Sequence, residues 1–188
     1  NFDCNDVGNP TVTLTVTDNN DNVRTCNAMV TVEDNVKPIA QCQNKTIQLD
    51  ANGNASITTS DIDNNSTDAC GIKSLSLDEM NFDCNDVGNP TVTLTVTDNN
   101  DNFETCTAII TVEDNVKPLL NNCPTNISKA MDAGVCGAIA TWTAPTATDN
   151  CDPNPTVAQT LGDPSGTFFS EGTHTINYKA TDNSSNES

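Results

Sequence analysis

TVTLTVTDNNDN, residues 91–102, decides the fold. Val92, Leu94 and Val96 alternate with Thr91, Thr93, Thr95 and Thr97. A period of two puts the apolar set on one face and the threonines on the other, as in a half-buried strand. Asp98–Asn102 is a turn composition, because Asn and Asp hydrogen-bond their own backbone and tolerate left-handed geometry. Beyond it Cys106, Ala108, Ile110 and Val112 form the next inward row. Two consecutive antiparallel strands are read here, lettered F and G of a sandwich.

Working outward, residues 1–22 repeat residues 81–102 without change, and TCNAMVTVEDNVKP returns as TCTAIITVEDNVKP ending at Pro118. The period is 80 residues, which suits one small sandwich per repeat in an array. With VKP as the joint, residues 1–35 are the back of a repeat and residues 36–115 a complete one. Residues 116–188 are a divergent third domain expected to stop before its last strand. Further strands are expected at 39–49 (A), 55–59 (B), 72–77 (C) and near 80–84 (E), with a long polar B–C loop at 60–71. The fold class is all-β: tandem Ig-like or fibronectin-like antiparallel β-sandwiches arranged end to end.

Composition agrees and narrows the function. Aromatics are 4% and hydrophobic residues 35%, too thin for one large core but sufficient for small sandwiches of Val, Ile, Leu and Ala. Seven Lys+Arg stand against 26 Asp+Glu, a formal charge of -19. Such a chain repels phosphate backbones and anionic lipid and attracts divalent cations, so nucleic acid is not an expected partner. No apolar run reaches the ~18 residues of a spanning helix, so no membrane insertion is expected within this stretch. Nine cysteines without metal-type CxxC pairs point to disulfides and an oxidising location. The chain opens at Asn1 without a leader, and a piece cut from a longer protein at both ends is expected.

The third domain reads DNVKPLLNNCPTNIS, then GVCGAIATWTAPTATDNC, then SGTFFSEGTHTINYKATDNSSN. Its CP…NI start, W-x-x-P…DNC middle and SG-x-F…GT…Y-x-ATDN end closely resemble the hyalin repeat (HYR), an Ig-like module of extracellular proteins. The 80-residue repeat looks like a divergent relative, keeping TDAC at 67–70 and TVTDNNDN at 95–102 but lacking the Trp. Arrays of this kind resemble those of giant Bacteroidetes surface proteins, including gliding and biofilm adhesins. The resemblance implies cell-surface adhesion or a stalk and identifies no ligand.

Strands A and G lie side by side in Ig-like folds, which pairs Cys42 with Cys106. On the same scheme Cys70 pairs with Cys84 and Cys136 with Cys151, leaving Cys4, Cys26 and Cys123. A competing scheme pairs Cys4 with Cys26, Cys84 with Cys106 and Cys42 with Cys70, and spacing does not choose between them.

Acidic segments recur at the joints (Glu33, Asp34, Asn35; Glu113, Asp114, Asn115), in the B–C loop (Asp61, Asp63, Asp68) and in the F–G turn (Asp98, Asn100, Asp101, Asn102). In a sandwich these loops share a pole, so the first seam gathers them, and the second gathers Glu113, Asp114, Asp149, Asp152, Asp182 and Asn183. Clustered carboxylates repel unless a cation neutralises them, and Ca²⁺ takes 6–8 oxygen ligands. The DNNDN turn and EDN-x-x-P joint resemble cadherin-type calcium linkers. Structural Ca²⁺ is therefore expected. The alternative is that Asp and Asn serve as turn formers and solubilising charge.

Catalytic chemistry finds little support. One histidine, His174, is assigned to strand F at the surface, and a triad or zinc site needs more. Trp142 is read as a core residue. The chain is expected not to be an enzyme. A stalk of repeats, with neighbouring repeats of the same chain as partners, is the leading reading. Direct binding of surface glycans or cell-surface proteins, filament assembly through strand edges, and accessory domains of a secreted enzyme are the alternatives.

Overall fold

Wherever Thr alternates with Val or Leu the backbone is extended. The computed structural model describes all of residues 1–188. The strands are β1 (Thr11–Thr17), β2 (Val23–Met29), β3 (Lys45–Gln48), β4 (Asn54–Ser56), β5 (Ile72–Leu77), β6 (Asn81–Asp83), β7 (Thr91–Asp98) and β8 (Phe103–Glu113). They continue as β9 (Leu119–Asn121), β10 (Gly137–Ile139), β11 (Thr146–Thr148), β12 (Thr156–Leu161), β13 (Phe168–Ser170) and β14 (Asn177–Thr181). A four-residue helix, α1 (Thr59–Ile62), and two short 3-10 turns, Cys4–Asp6 and Cys84–Asp86, complete the chain. The protein is all-β. No helix is long and apolar enough to cross a membrane.

Two compact units divide the chain. The first comprises Asn1–Lys45, Ile57–Met80 and Thr91–Ile110. It holds the β1–β2 hairpin and the antiparallel ladder of β7 with β5 on one edge and β8 on the other. Leu94 stands opposite Cys106, and Leu14 opposite Cys26. Val92, Leu94, Val96, Ala108 and Ile110 are at most 2% exposed, and Ile57 and Ile62 are buried as well. Each buried Val, Leu or Ile among them contributes about 1.5–3 kcal/mol, and Ala108 about 1 kcal/mol or less. The second unit comprises Thr46–Ser56, Asn81–Pro90 and Thr111–Ser188. It is built from short antiparallel pairs: β4–β6, β9–β11, β10–β13 and β12–β14, the last with a bulge between Gln159 and Leu161. Leu49, Phe82, Val112, Ala138 and Ala180 are buried in it.

Local chemistry accounts for departures from the sequence reading. Strand A, expected over 39–49, is continuous only at β3, and upstream it is reduced to single bridges, Ile39 to Thr67 and Cys42 to Asp63. The stretch expected as polar loop from residue 60 begins with α1. Thr58 donates to Asp61 Oδ2 from both its backbone N (2.9 Å) and its hydroxyl (2.7 Å). These two bonds to one carboxylate start a single turn too short to leave a 3.6-residue pattern. His174 lies ahead of β14 rather than in a strand, with Nε2 2.8 Å from the Ser170 carbonyl and its ring edge-on to Phe169. Trp142 is half-buried, donating from Nε1 to the Tyr178 hydroxyl at 2.7 Å.

Three disulfides are present: Cys4–Cys70, Cys42–Cys106 and Cys84–Cys151. The pairings Cys70–Cys84 and Cys136–Cys151 read from the sequence are therefore corrected, and Cys136 is a free, exposed thiol alongside Cys26 and Cys123. The physical reason is the place of Cys4 and Cys84. Each opens a 3-10 turn capped by the preceding Asp, Asp3 or Asp83. Each turn brings its sulfur to a TDAC or TDNC loop that belongs to the following period, not to its own. Gly53, at φ +75°, lets the backbone pass close to the second bridge; a Cβ there would lie 2.5 Å from Cys84 Sγ.

Candidate metal centres

Each unit brings three aspartates together. In the first they are Asp34, Asp68 and Asp98; in the second, Asp114, Asp149 and Asp182. Within each trio, one carboxylate oxygen from every residue lies within 4.8 Å of the others. The three come from segments far apart in sequence: the EDN joint, the TDAC or TDNC loop, and the last residue of β7 or the first after β14.

Asp98 is fully buried and closes the β7–β8 turn. Its Oδ1 accepts from the backbone N of Asn100 and Asn102, and its Oδ2 from Asn102 Nδ2, all at 2.8 Å. Burial pushes the Asp98 carboxyl up, but the hydrogen bonds from Asn102 and Asn100, with Lys73 nearby, outweigh it and hold the group below its ordinary value. Asp34 Oδ1 accepts from Val36 N at 3.0 Å. Asp34 Oδ2 is buried without a hydrogen-bond partner. Asp68 Oδ1 accepts from Cys70 N at 2.7 Å, so the Cys4–Cys70 bridge anchors the loop that presents it.

The second trio repeats this chemistry. Asp182 takes both the backbone N (2.8 Å) and Nδ2 (2.9 Å) of Asn186. Asp101 and Ser185 hold matching left-handed positions in the two turns, φ 68° and 69°. Asp149 Oδ1 accepts from the backbone N of Cys151 and Asp152, while its Oδ2 is buried without a partner. Asp114, 5% exposed, accepts from Val116 N, Asn150 Nδ2 and the Ser184 hydroxyl. Asn150 stands where the first loop has Ala69, and its Oδ1 is also buried and unpartnered.

The remaining residues singled out in the sequence stand elsewhere. Asp61 caps α1 and pairs with Lys45 at 2.9 Å; the hydrogen bond from Lys45, then those from Thr58, lower its carboxyl to about 2. Asp63 accepts from Ser66 N, and Asp101 pairs with Lys73. Glu33 and Glu113 accept from the side chains of Asn35 and Asn115. Asn100 donates its backbone N to Asp98. The sequence reading set Asn102 in the turn expected to meet Asp34, but it did not single out Asn186 at the second seam. Their Nδ2 groups also donate to the carbonyls of Asp34 (3.0 Å) and Asp114 (2.9 Å), tying the turn to the joint. The signal available was the identical spacing, an Asn four residues after Asp98 and after Asp182.

What a trio can do follows from its donors. An all-oxygen set of negative charge suits a hard divalent cation rather than zinc, which takes sulfur and imidazole. Asp34 Oδ2 and Asp149 Oδ2 are carboxylate oxygens removed from water without compensation, which is costly unless a cation meets them.

Residues 113–188 match the model of the HYR domain, which supports an extracellular adhesion-type domain there. Hyalin of Strongylocentrotus purpuratus is 31% identical over 186 residues, a stretch that covers 95% of this chain and 15% of hyalin. The chain thus spans a small part of that relative's length. Among solved structures, mouse clustered PcdhgC3 EC1-3 is similar over 96% of this chain and 74% of that one, at 15% identity and a TM-score of 0.36. A likeness that low bears no argument.

Proposed function

We infer that the chain is a non-enzymatic stretch of an extracellular surface protein, with repeats joined in series and a Ca²⁺ ion held by each aspartate trio to stiffen the join. The observation that carries this reading is the pair of buried, unpartnered oxygens, Asp34 Oδ2 and Asp149 Oδ2, each inside a three-carboxylate set. Three disulfides fit an oxidising location outside the cell. Repetition favours a stalk, since a spacer needs length more than it needs a unique site. The HYR match over residues 113–188 supports the extracellular setting, and a giant bacterial surface protein is the whole we propose for it.

Bound Ca²⁺ would be met by Asp34, Asp68 and Asp98 in one site and by Asp114, Asp149 and Asp182 in the other. It would supply the positive charge that lets each trio stay ionised. Isothermal calorimetry with CaCl₂ tests this. Two equivalents are expected, with a melting temperature that rises on binding. Asp98→Asn should remove one equivalent. No heat, together with melting unchanged by EDTA, would overturn the reading.

A further inference from the structure

The apolar face of β1–β2 is open, and the same sequence elsewhere in the chain says what closes it. Val12, Leu14 and Val16 are 40%, 61% and 58% exposed. Val92, Leu94 and Val96, at the same places in the identical 22-residue stretch, are 1%, 0% and 0% exposed. Phe2 is 47% exposed and Phe82, its counterpart, 3%. The hairpins themselves do not differ, because Leu14 faces Cys26 as Leu94 faces Cys106. What differs is company. β7 carries β5 along its edge, and β8 is bonded through Cys106 to Cys42. Nothing of that kind lies on β1–β2, and Cys26, the counterpart of Cys106, is a free, exposed thiol.

We propose that the β1–β2 face is a docking surface for the front half of a further repeat, a segment built like residues 36–80 whose cysteine, at the place of Cys42, bonds to Cys26. Two independent features select this occupant. The apolar row needs a partner strand set that buries Val12, Leu14 and Val16 together, and 36–80 is the only part of a repeat that its own back half leaves over. The thiol needs a cysteine that such a segment carries in its strand A region. Bond formation is a two-electron oxidation: both thiols lose their protons, and a disulfide oxidant such as oxidised glutathione is reduced to two thiols. A second copy of this chain is a poor occupant, since its own residues 36–80 are already tied to β8 by Cys42–Cys106.

The test is a chain extended by a copy of residues 36–80 placed directly before Asn1. Because residue 81 onward repeats residue 1 onward, the new join reproduces the natural Met80–Asn81 link. After refolding with oxidised and reduced glutathione, peptide mapping should find Cys26 bonded to the added counterpart of Cys42 rather than that of Cys70, and its alkylation should fall at least tenfold. A second variant with that added cysteine changed to Ser isolates the apolar contact. Amide exchange at Leu14 and Val16 should still slow at least tenfold relative to the unextended chain. Cys26 that stays alkylatable with unprotected amides overturns the proposal. So does Cys26–Cys26 dimerisation that the added segment does not suppress.

Discussion

Asn102 donates from Nδ2 to the main-chain carbonyl of Asp34 at 3.0 Å, across 68 residues of chain. The same amide holds Asp98 Oδ2, so one side chain fixes a turn and ties it to a joint. Asn22 is the same residue in the other copy of the sequence, yet it reaches only Asp18, in an exposed turn. Asn102→Ala should therefore cost about 1–3 kcal/mol by chemical denaturation, because two acceptors lose their donor in a part-buried site. Asn22→Ala should stay within ~0.5 kcal/mol. Equal losses would show that the joint contact contributes nothing.

The same duplication separates burial from sequence. Leu94→Ala empties a fully buried position and should destabilise by about 2–5 kcal/mol. Leu14 is 61% exposed, and Leu14→Ala should be near neutral in this chain. Urea unfolding of both variants measures the difference.

That contrast marks what sequence could show. The Val92/Leu94/Val96 alternation is local, so the strand and its inward face were legible from a few residues. The trio Asp34, Asp68 and Asp98 was legible more coarsely, because turn-forming segments were expected at one pole. Period-two reading did not sort Asp61 and Asp101, which look the same in sequence but answer to Lys45 and Lys73. The cysteines were least legible. Cys4 reaches Cys70 only because its 3-10 turn meets a loop of the next period, and no spacing rule encodes that.

Thiol counting checks the bridges directly. A maleimide should label three equivalents on the native protein, at Cys26, Cys123 and Cys136, and nine after reduction in denaturant. Cys84→Ser should lower stability by about 2–4 kcal/mol and expose Cys151 to labelling. Gly53→Ala should act on the same bridge, by a positive φ that disfavours Ala and a Cβ that meets Cys84 Sγ.

Acid should expose the cap on α1. Asp61 titrates near 2 in the folded chain against an ordinary 3.8, because Lys45 and Thr58 hold its ionised form. A lowered folded-state value means the contribution is complete above about pH 4 and disappears as pH falls toward 2. Asp61→Asn should cost about 0.5–2 kcal/mol at pH 7, the usual worth of a helix cap. The exposed Lys45 pair adds little to that figure. The gap between wild type and variant should narrow through pH 4 to 2 in denaturant titrations. A gap that is constant with pH would mean the side chain acts by shape alone, without its charge.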